Sequence, residues 1–316
     1  MAKRRKPKPG PPQRLPSGQG TDGVLELDRF SGADLDRWNR ISQTLDALYS
    51  QLYFGFEGQR NTVRRELIDA LQAGGSTSFD FQRWCRVVPH RFSLMPLSAA
   101  GSLRGVGGRF NVGVDIPGDV RSPWPALYIA ADQETALREK YELVGHSNGL
   151  TREELALTPW QSHTVVMLNG HLEQVFDLTD LPALGPLCKV IGRFKMPHGI
   201  DDSLRRLHID RKKVSLVKTP SQLQRAVMAP NWRQWPVQFE LPAHGQIFAA
   251  LVVAAGYEAI RYRSSKSGEH CLAVFPQNFA SSLSYIELAD PAPPETEHVR
   301  LDMDSAMQSS GQTSVD

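Results

Sequence analysis

The sequence predicts an α+β protein in which a helical leader precedes a domain of short strands and helices. Between residues 32 and 73 apolar side chains recur at steps of three and four, the period of one helix face. From Phe79 onward they come instead in short runs bounded by Gly, Pro and Asp. The chain has 316 residues, 41% hydrophobic and 22% charged. That is enough to build a core, with composition ordinary for a globular protein.

Residues 1–22 read as a disordered basic tail. Lys3, Arg4, Arg5, Lys6 and Lys8 are interleaved and followed by Pro7, Pro9, Pro11 and Pro12, with almost no apolar content. A signal peptide would need an apolar stretch after the charges, so export by that route is not indicated. The net charge of +2, from 36 Lys and Arg against 34 Asp and Glu, does not predict nucleic-acid binding by the whole chain.

Residues 31–75 form the helical leader. Leu35, Trp38, Ile41, Leu45, Leu48 and Leu52 make the first stripe, with Ser31 placed to cap it. Gly55 and Gly58 are expected to break it. Val63, Leu67 and Leu71 resume it until Gly74-Gly75.

Residues 79–290 form the main domain. Trp84 to Val88 and Ala126 to Ala130 read as strands, and Asp132 caps a helix running through Thr135, Ala136, Leu137 and Tyr141. Thr164 to Leu168 and Gln174 to Leu178 are further strands. Residues 193–235 look like an elaborated, partly helical connection rich in Arg and Lys. Gln246 to Ala255 is a helix ended by Gly256. Tyr257 to Tyr262 and Cys271 to Phe275 form a strand pair around the polar loop Arg263 to Glu269, and Tyr285 to Leu288 is the last strand. Residues 291–316, rich in Pro, acidic and Ser/Gln residues, read as a second disordered tail.

Several functions are disfavoured. The longest apolar run, Ile247 to Ala255, is nine residues, against the ~20 that cross a bilayer, so no membrane association is expected. No Walker A loop, no Rossmann glycine signature, no H-E-x-x-H and no G-x-S-x-G elbow occurs. Cys85, Cys188 and Cys271 are far apart and form no C-x-x-C. They read as buried structural thiols in a reducing, cytoplasmic setting. The histidines show no metal-ligand spacing, so no metal is expected.

The segment Gly107-Gly108-Arg109-Phe110-Asn111-Val112-Gly113 stands out. Two glycines permit a sharp turn or close approach of a ligand, and the guanidinium that follows suits a phosphate. Taken alone, the glycines are a simple turn and Arg109 a surface ion pair. Tyr128 on a strand, Glu139 near the end of the next helix, and Tyr262-Arg263-Ser264-Ser265-Lys266 at a strand end are the other candidates.

These elements, in this order, resemble the RES domain family. The resemblance rests on Trp84-Cys85-Arg86-Val87-Val88, Gly-Gly-Arg-Phe-Asn-x-Gly, Ala126-Leu127-Tyr128-Ile129-Ala130 with Thr135-Ala136-Leu137-Arg138-Glu139, and Tyr262-Arg263-Ser264 before the Leu272-Ala273-Val274-Phe275 strand. It implies a fold related to ADP-ribosyltransferases, with small mixed sheets and flanking helices. It also implies a toxin of a bacterial toxin–antitoxin pair that inhibits growth by degrading NAD+. Glu139, Arg109 and Ser264 are then the catalytic candidates, and Arg86, Tyr128, Asn111 and Gly108 the substrate-binding ones. Ser265 stands in for Ser264 if the register slips by one.

On this reading NAD+ is substrate and no cofactor is used. The implied protein partner is an Xre-like antitoxin, within an assembly that includes homo-oligomers. Nucleic acid is reached only through that antitoxin. Two alternatives stay open: transfer of ADP-ribose to a macromolecule, and a non-catalytic interaction protein of the same fold. The acceptor, water or phosphate, is also open. The leader, the basic tail and the connection from about 185 to 240 lie outside a compact RES pattern.

Overall fold

The computed structural model describes residues 32–141 and 162–305. The basic tail expected over residues 1–22 lies outside them. The chain opens with α1 (Gly32–Thr62) and α2 (Arg64–Ala73). The break between the two comes at Val63, not at Gly55 or Gly58. Glycine inside a helix costs about 1 kcal/mol relative to alanine, but at Gly55 the missing side chain has a use. A Cβ there would lie 2.6 Å from the Pro197 ring, so the glycine lets residues 195–198 press against α1. Gln59 fixes the same contact, donating to the Lys195 carbonyl at 2.8 Å and accepting from the Lys195 N–H at 2.7 Å.

The strands are β1 (Thr77–Pro89), β2 (Gly107–Gly108), β3 (Asn111–Val112), β4 (Leu127–Ala130), β5 (His163–Asp177), β6 (Ala259–Arg263), β7 (His270–Val274), β8 (Tyr285–Leu288) and β9 (Arg300–Leu301). The two runs Thr164 to Leu168 and Gln174 to Leu178 are thus parts of one long strand, β5. The helices after α2 are α3 (Gln133–Tyr141), α4 (Gly185–Ile191), α5 (Ile200–Arg206), α6 (Pro220–Val227), α7 (Gln234–Phe239) and α8 (His244–Ala254).

Seven strands form one sheet in the order β1-β4-β7-β6-β5-β8-β9, and β1 also pairs with β5, so five strands close on themselves. The closure is uneven. β1 and β5 run antiparallel from Thr77 opposite Val175 to Pro89 opposite His163, whereas β1 and β4 share a single pair, Cys85 opposite Ala130. Among the described strands only β5 and β6 are parallel. Strand alternation sorts the apolar residues onto two faces. Leu127, Ile129, Leu168, Leu172, Leu272 and Val274 pack together on one. Phe176, Ile260, Tyr262, Cys271 and Ala273 pack on the other, under α2, α4 and α8.

The leader is therefore not a separate unit. Leu67 and Leu71 of α2 are fully buried in the main core, and the Tyr257 hydroxyl donates to the Leu71 carbonyl at 2.8 Å. The second tail is also shorter than expected. β9 pairs with β8, and Leu301 is buried against the sheet. A two-residue strand after a Pro-rich stretch is too short to show a period. Residues 306–316 lie outside the described structure.

Leu71→Ala should destabilise the whole domain by about 2–5 kcal/mol, because it opens a cavity in the shared core. Denaturant unfolding followed by far-UV circular dichroism checks this; a single cooperative transition is expected.

Candidate functional site

The site is built on the hairpin of β2 and β3, whose tip is Arg109-Phe110. Neither tip residue adopts a positive φ. The hairpin therefore lacks the primed turns that let two-residue loops hold strands on their own, and it is held from outside. Gln246, fully buried in the first turn of α8, donates to the carbonyls of Val106, Gly108 and Asn111 at 2.8, 3.1 and 2.9 Å. Its own carbonyl accepts the Ala243 N–H at 2.9 Å.

Asn111 works from inside the hairpin. Its amide donates to the carbonyls of Ser102 and Trp124 at 2.8 and 3.2 Å; its Oδ1 accepts from Gly108 N–H at 3.0 Å and from the Tyr128 hydroxyl at 2.9 Å. Tyr128 in turn accepts the Phe110 N–H at 2.9 Å. Asn111 was expected to bind substrate, but its donors and acceptors are spent on the protein. Gly108 has a similar explanation. A Cβ there would fall 2.3 Å from the Tyr128 hydroxyl, so the close approach it permits is that of Tyr128, not of a ligand. Tyr128 keeps a half-buried ring while its hydroxyl is committed, and burial holds its pKa above the ordinary phenol value.

Arg109 is 8% exposed. Its Nη1 donates to the Ala229 carbonyl at 2.8 Å, and its guanidinium carbon lies 5.8 Å from the Trp232 ring centroid. Gly245 makes room, since a Cβ there would meet the Arg109 carbonyl at 2.6 Å. Burial lowers the Arg109 pKa; Tyr262, Glu139 and Tyr128 oppose that, and Arg233 adds to it. These groups share one electrostatic neighbourhood.

The sheet brings Glu139 and Ser264 together. Cys271 of β7 faces Ala130 on one side and Tyr262 on the other. The chain leaves β4 and β6 close to that level, into α3 and into the loop after Arg263. Asp132 starts α3 by accepting the Thr135 N–H at 2.8 Å. The Ser264 hydroxyl donates to Glu139 Oε1 at 2.5 Å and accepts from the N–H groups of Lys266 and Ser267 at 3.1 and 3.2 Å. Ser264 is buried and Ser265 exposed, so Ser264 is the serine of this contact. Expected to contact substrate, Ser264 instead orients Glu139, because its hydrogen-bonding capacity is filled. Glu139 is half-buried, and among the described residues no hydrogen bond is made to its Oε2.

Arg86 departs from expectation. Its Nε, Nη1 and Nη2 donate to the carbonyls of Pro96, Tyr128 and Ser98 at 2.9, 3.2 and 2.9 Å. It stitches β1 to β4 where their backbone pairing stops after Cys85, and to the turn at residues 96–98. Burial pulls its pKa down to about 10. Among the described residues no hydrogen bond or ion pair ties it to Glu139 or Arg109.

Gln246, Ala229 and Trp232 were not among the predicted site residues, and Tyr262 was singled out only as part of the motif around Ser264, with no role of its own. Tyr262 is buried, its ring 4.9 Å from Phe110, and burial raises its pKa well above the phenol value. Gln246 had a readable signal, an amide at the head of the apolar run Ile247 to Ala255. A backbone carbonyl such as Ala229 has none. All three cysteines are free and buried, and burial raises each thiol pKa, as inert structural thiols require. Among the described residues no group of three or more His, Cys, Asp or Glu is placed to hold a metal, and no helix is long and apolar enough to cross a membrane.

The RES domain family profile matches residues 83–304. The chain belongs to the RES domain family. Among solved structures it is similar to the M. tuberculosis MbcT–MbcA toxin–antitoxin complex, with 13% identity over 77% of this chain and 96% of that one and a TM-score of 0.35. At that identity and score the likeness adds nothing to the family match. No curated protein matches the sequence.

Tyr128→Phe should cost about 1–3 kcal/mol, since it strands the buried Phe110 N–H and half of the Asn111 acceptor. Thermal melting against the wild type measures this.

Proposed function

We propose that this chain cleaves the bond between nicotinamide and ribose in NAD+ and serves as the toxin of a toxin–antitoxin pair. The observation that carries the reading is the Ser264–Glu139 contact, with a carboxylate whose charge acts on buried Arg109. It is a carboxylate oriented by a hydroxyl, with an oxygen left to face a ligand and a guanidinium in the same neighbourhood. Family membership supports it.

The chemistry asks for little more. The glycosidic C–N bond breaks, and its electron pair passes to the pyridinium nitrogen, so nicotinamide leaves neutral without an acid. The ribose carbon passes through an oxocarbenium-like state. A fixed carboxylate at that carbon stabilises the developing charge, and it needs no reorganisation because Ser264 already holds it. Arg109 meets the diphosphate and sets the register of the dinucleotide. The Tyr128 ring, locked through its hydroxyl, flanks the nicotinamide. Water or phosphate then adds at the ribose carbon and loses its proton to solvent. The protein partner on this reading is an antitoxin that covers the site.

Proton NMR of NAD+ incubated with the purified chain, with and without phosphate, tests the proposal. Nicotinamide release is expected, and the sugar product names the acceptor. Glu139→Gln should lower the rate by about 100-fold or more while ADP-ribose still binds, the loss typical of removing one transition-state electrostatic partner. A native rate in that variant would sink the assignment of Glu139. Arg109→Lys should raise KM more than it lowers kcat, because an ammonium cannot replace the planar fork; steady-state kinetics on NAD+ separate the two.

A further inference from the structure

We propose that Trp232, carried between α6 and α7, is the platform on which the adenine of the dinucleotide stacks, and so selects a dinucleotide over its mononucleotide half. The proposal rests on the NAD+ reading of the site.

Trp232 stands in a turn that opens at Ala229, with Pro230 next, and closes through a hydrogen bond from Trp232 N–H to the Ala229 carbonyl at 3.3 Å. That same carbonyl accepts the Arg109 guanidinium at 2.8 Å. Ring and guanidinium are thereby fixed to one point. The indole stays half-buried, so part of it faces outward. Arg233 brings a second guanidinium to the ring, its carbon 4.6 Å from the centroid, and bears on both Arg109 and Tyr128.

A half-buried indole with two guanidinium groups over its ring combines what nucleotides meet in many sites, a cation for phosphate and an aromatic ring that stacks on a base. The order of the groups decides which base. On the NAD+ reading Glu139 marks the scissile ribose and the Tyr128 ring the nicotinamide end, while Tyr128 and Tyr262 both touch Phe110, next to Arg109. Arg109 marks the diphosphate. Beyond a diphosphate the only part of NAD+ left is adenosine, and the aromatic ring against Arg109 is Trp232. The competing role is purely positional, with the ring serving only to hold Arg109 in place. The two roles differ in what they do to a substrate that has no adenosine.

The test uses the full chain with NAD+ and with nicotinamide mononucleotide, nicotinamide release being followed by NMR. In Trp232→Ala the ratio of kcat/KM for NAD+ to that for the mononucleotide should fall about tenfold, within the range of losing one base–aromatic stack, mainly through KM for NAD+. Trp232→Phe should keep most of the ratio. Trp232→Leu, which retains apolar bulk against Arg109 but no ring, supplies the same comparison should the alanine variant not fold. An unchanged ratio, whether both values hold or both fall together, overturns the proposal in favour of the positional role. A wild-type chain that releases nicotinamide from neither compound overturns the cleavage reading instead. Calorimetry with ADP-ribose then decides the platform on its own: binding about tenfold weaker in the ringless variant upholds it, and equal or absent binding overturns it.

Discussion

The site depends on how a hairpin with two residues per strand is kept in place. Such a hairpin buries too little to fold by itself, and its tip lacks the turn geometry that would help. Gln246 supplies what the hairpin lacks. One amide nitrogen collects three carbonyls, so the loop is referred directly to α8. Asn111 and Tyr128 then refer it to β4. With both anchors in place the tip has one position, and Arg109 inherits it. A flexible loop would have to be ordered again each time a ligand bound, at a cost in affinity.

The same logic explains why Glu139 and Ser264 meet across 125 positions of sequence. β7 lies between β4 and β6, and its Cys271 pairs with both. Whatever follows those two strands therefore emerges at one level of one sheet edge. The helix after β4 and the turn after β6 need only short reach to touch. Tyr262 and Cys271 are buried at that level. The result is a carboxyl group fixed by one neutral hydroxyl donor rather than by a second charge.

Much of the frame was legible in the sequence, and the reasons are physical. The strand at Tyr285 to Leu288, the helix capped by Asp132 and the strand pair around residues 263–269 each bury a regular pattern against one or the other face of the sheet, so periodicity reported them. Glu139, Arg109, Ser264 and Tyr128 were legible as members of an ordered set of motifs. Their division of labour was not. Whether a serine touches a ligand or a glutamate, and whether an asparagine faces a cleft or a carbonyl, is decided by partners far away in sequence. Arg86 shows the point. As a residue type it suits phosphate, but its fork is spent on one β4 carbonyl, Tyr128, and on the Pro96 and Ser98 carbonyls of the neighbouring turn. Gly55 shows the converse, a helix breaker by propensity that a neighbour's ring makes an asset.

The helical leader and the 193–235 connection, which fall outside the compact motif pattern, form a continuous packed path to the site. Tyr49 of α1 stacks on Phe239 with centroids 4.1 Å apart and meets Trp235 edge-on at 4.8 Å. Both partners belong to α7, and α7 begins one residue after Arg233. Leu48 of α1 shares a small core with Ile200 and Leu204 of α5, farther back along the same connection. The connection is thus clamped by α1 at α5 and at α7, and the segment before α7 presents Ala229 and Trp232 to Arg109. A buried arginine at a hairpin tip needs a partner carbonyl that does not wander. In this chain that carbonyl is held in place by a helix whose residues lie more than a hundred positions earlier.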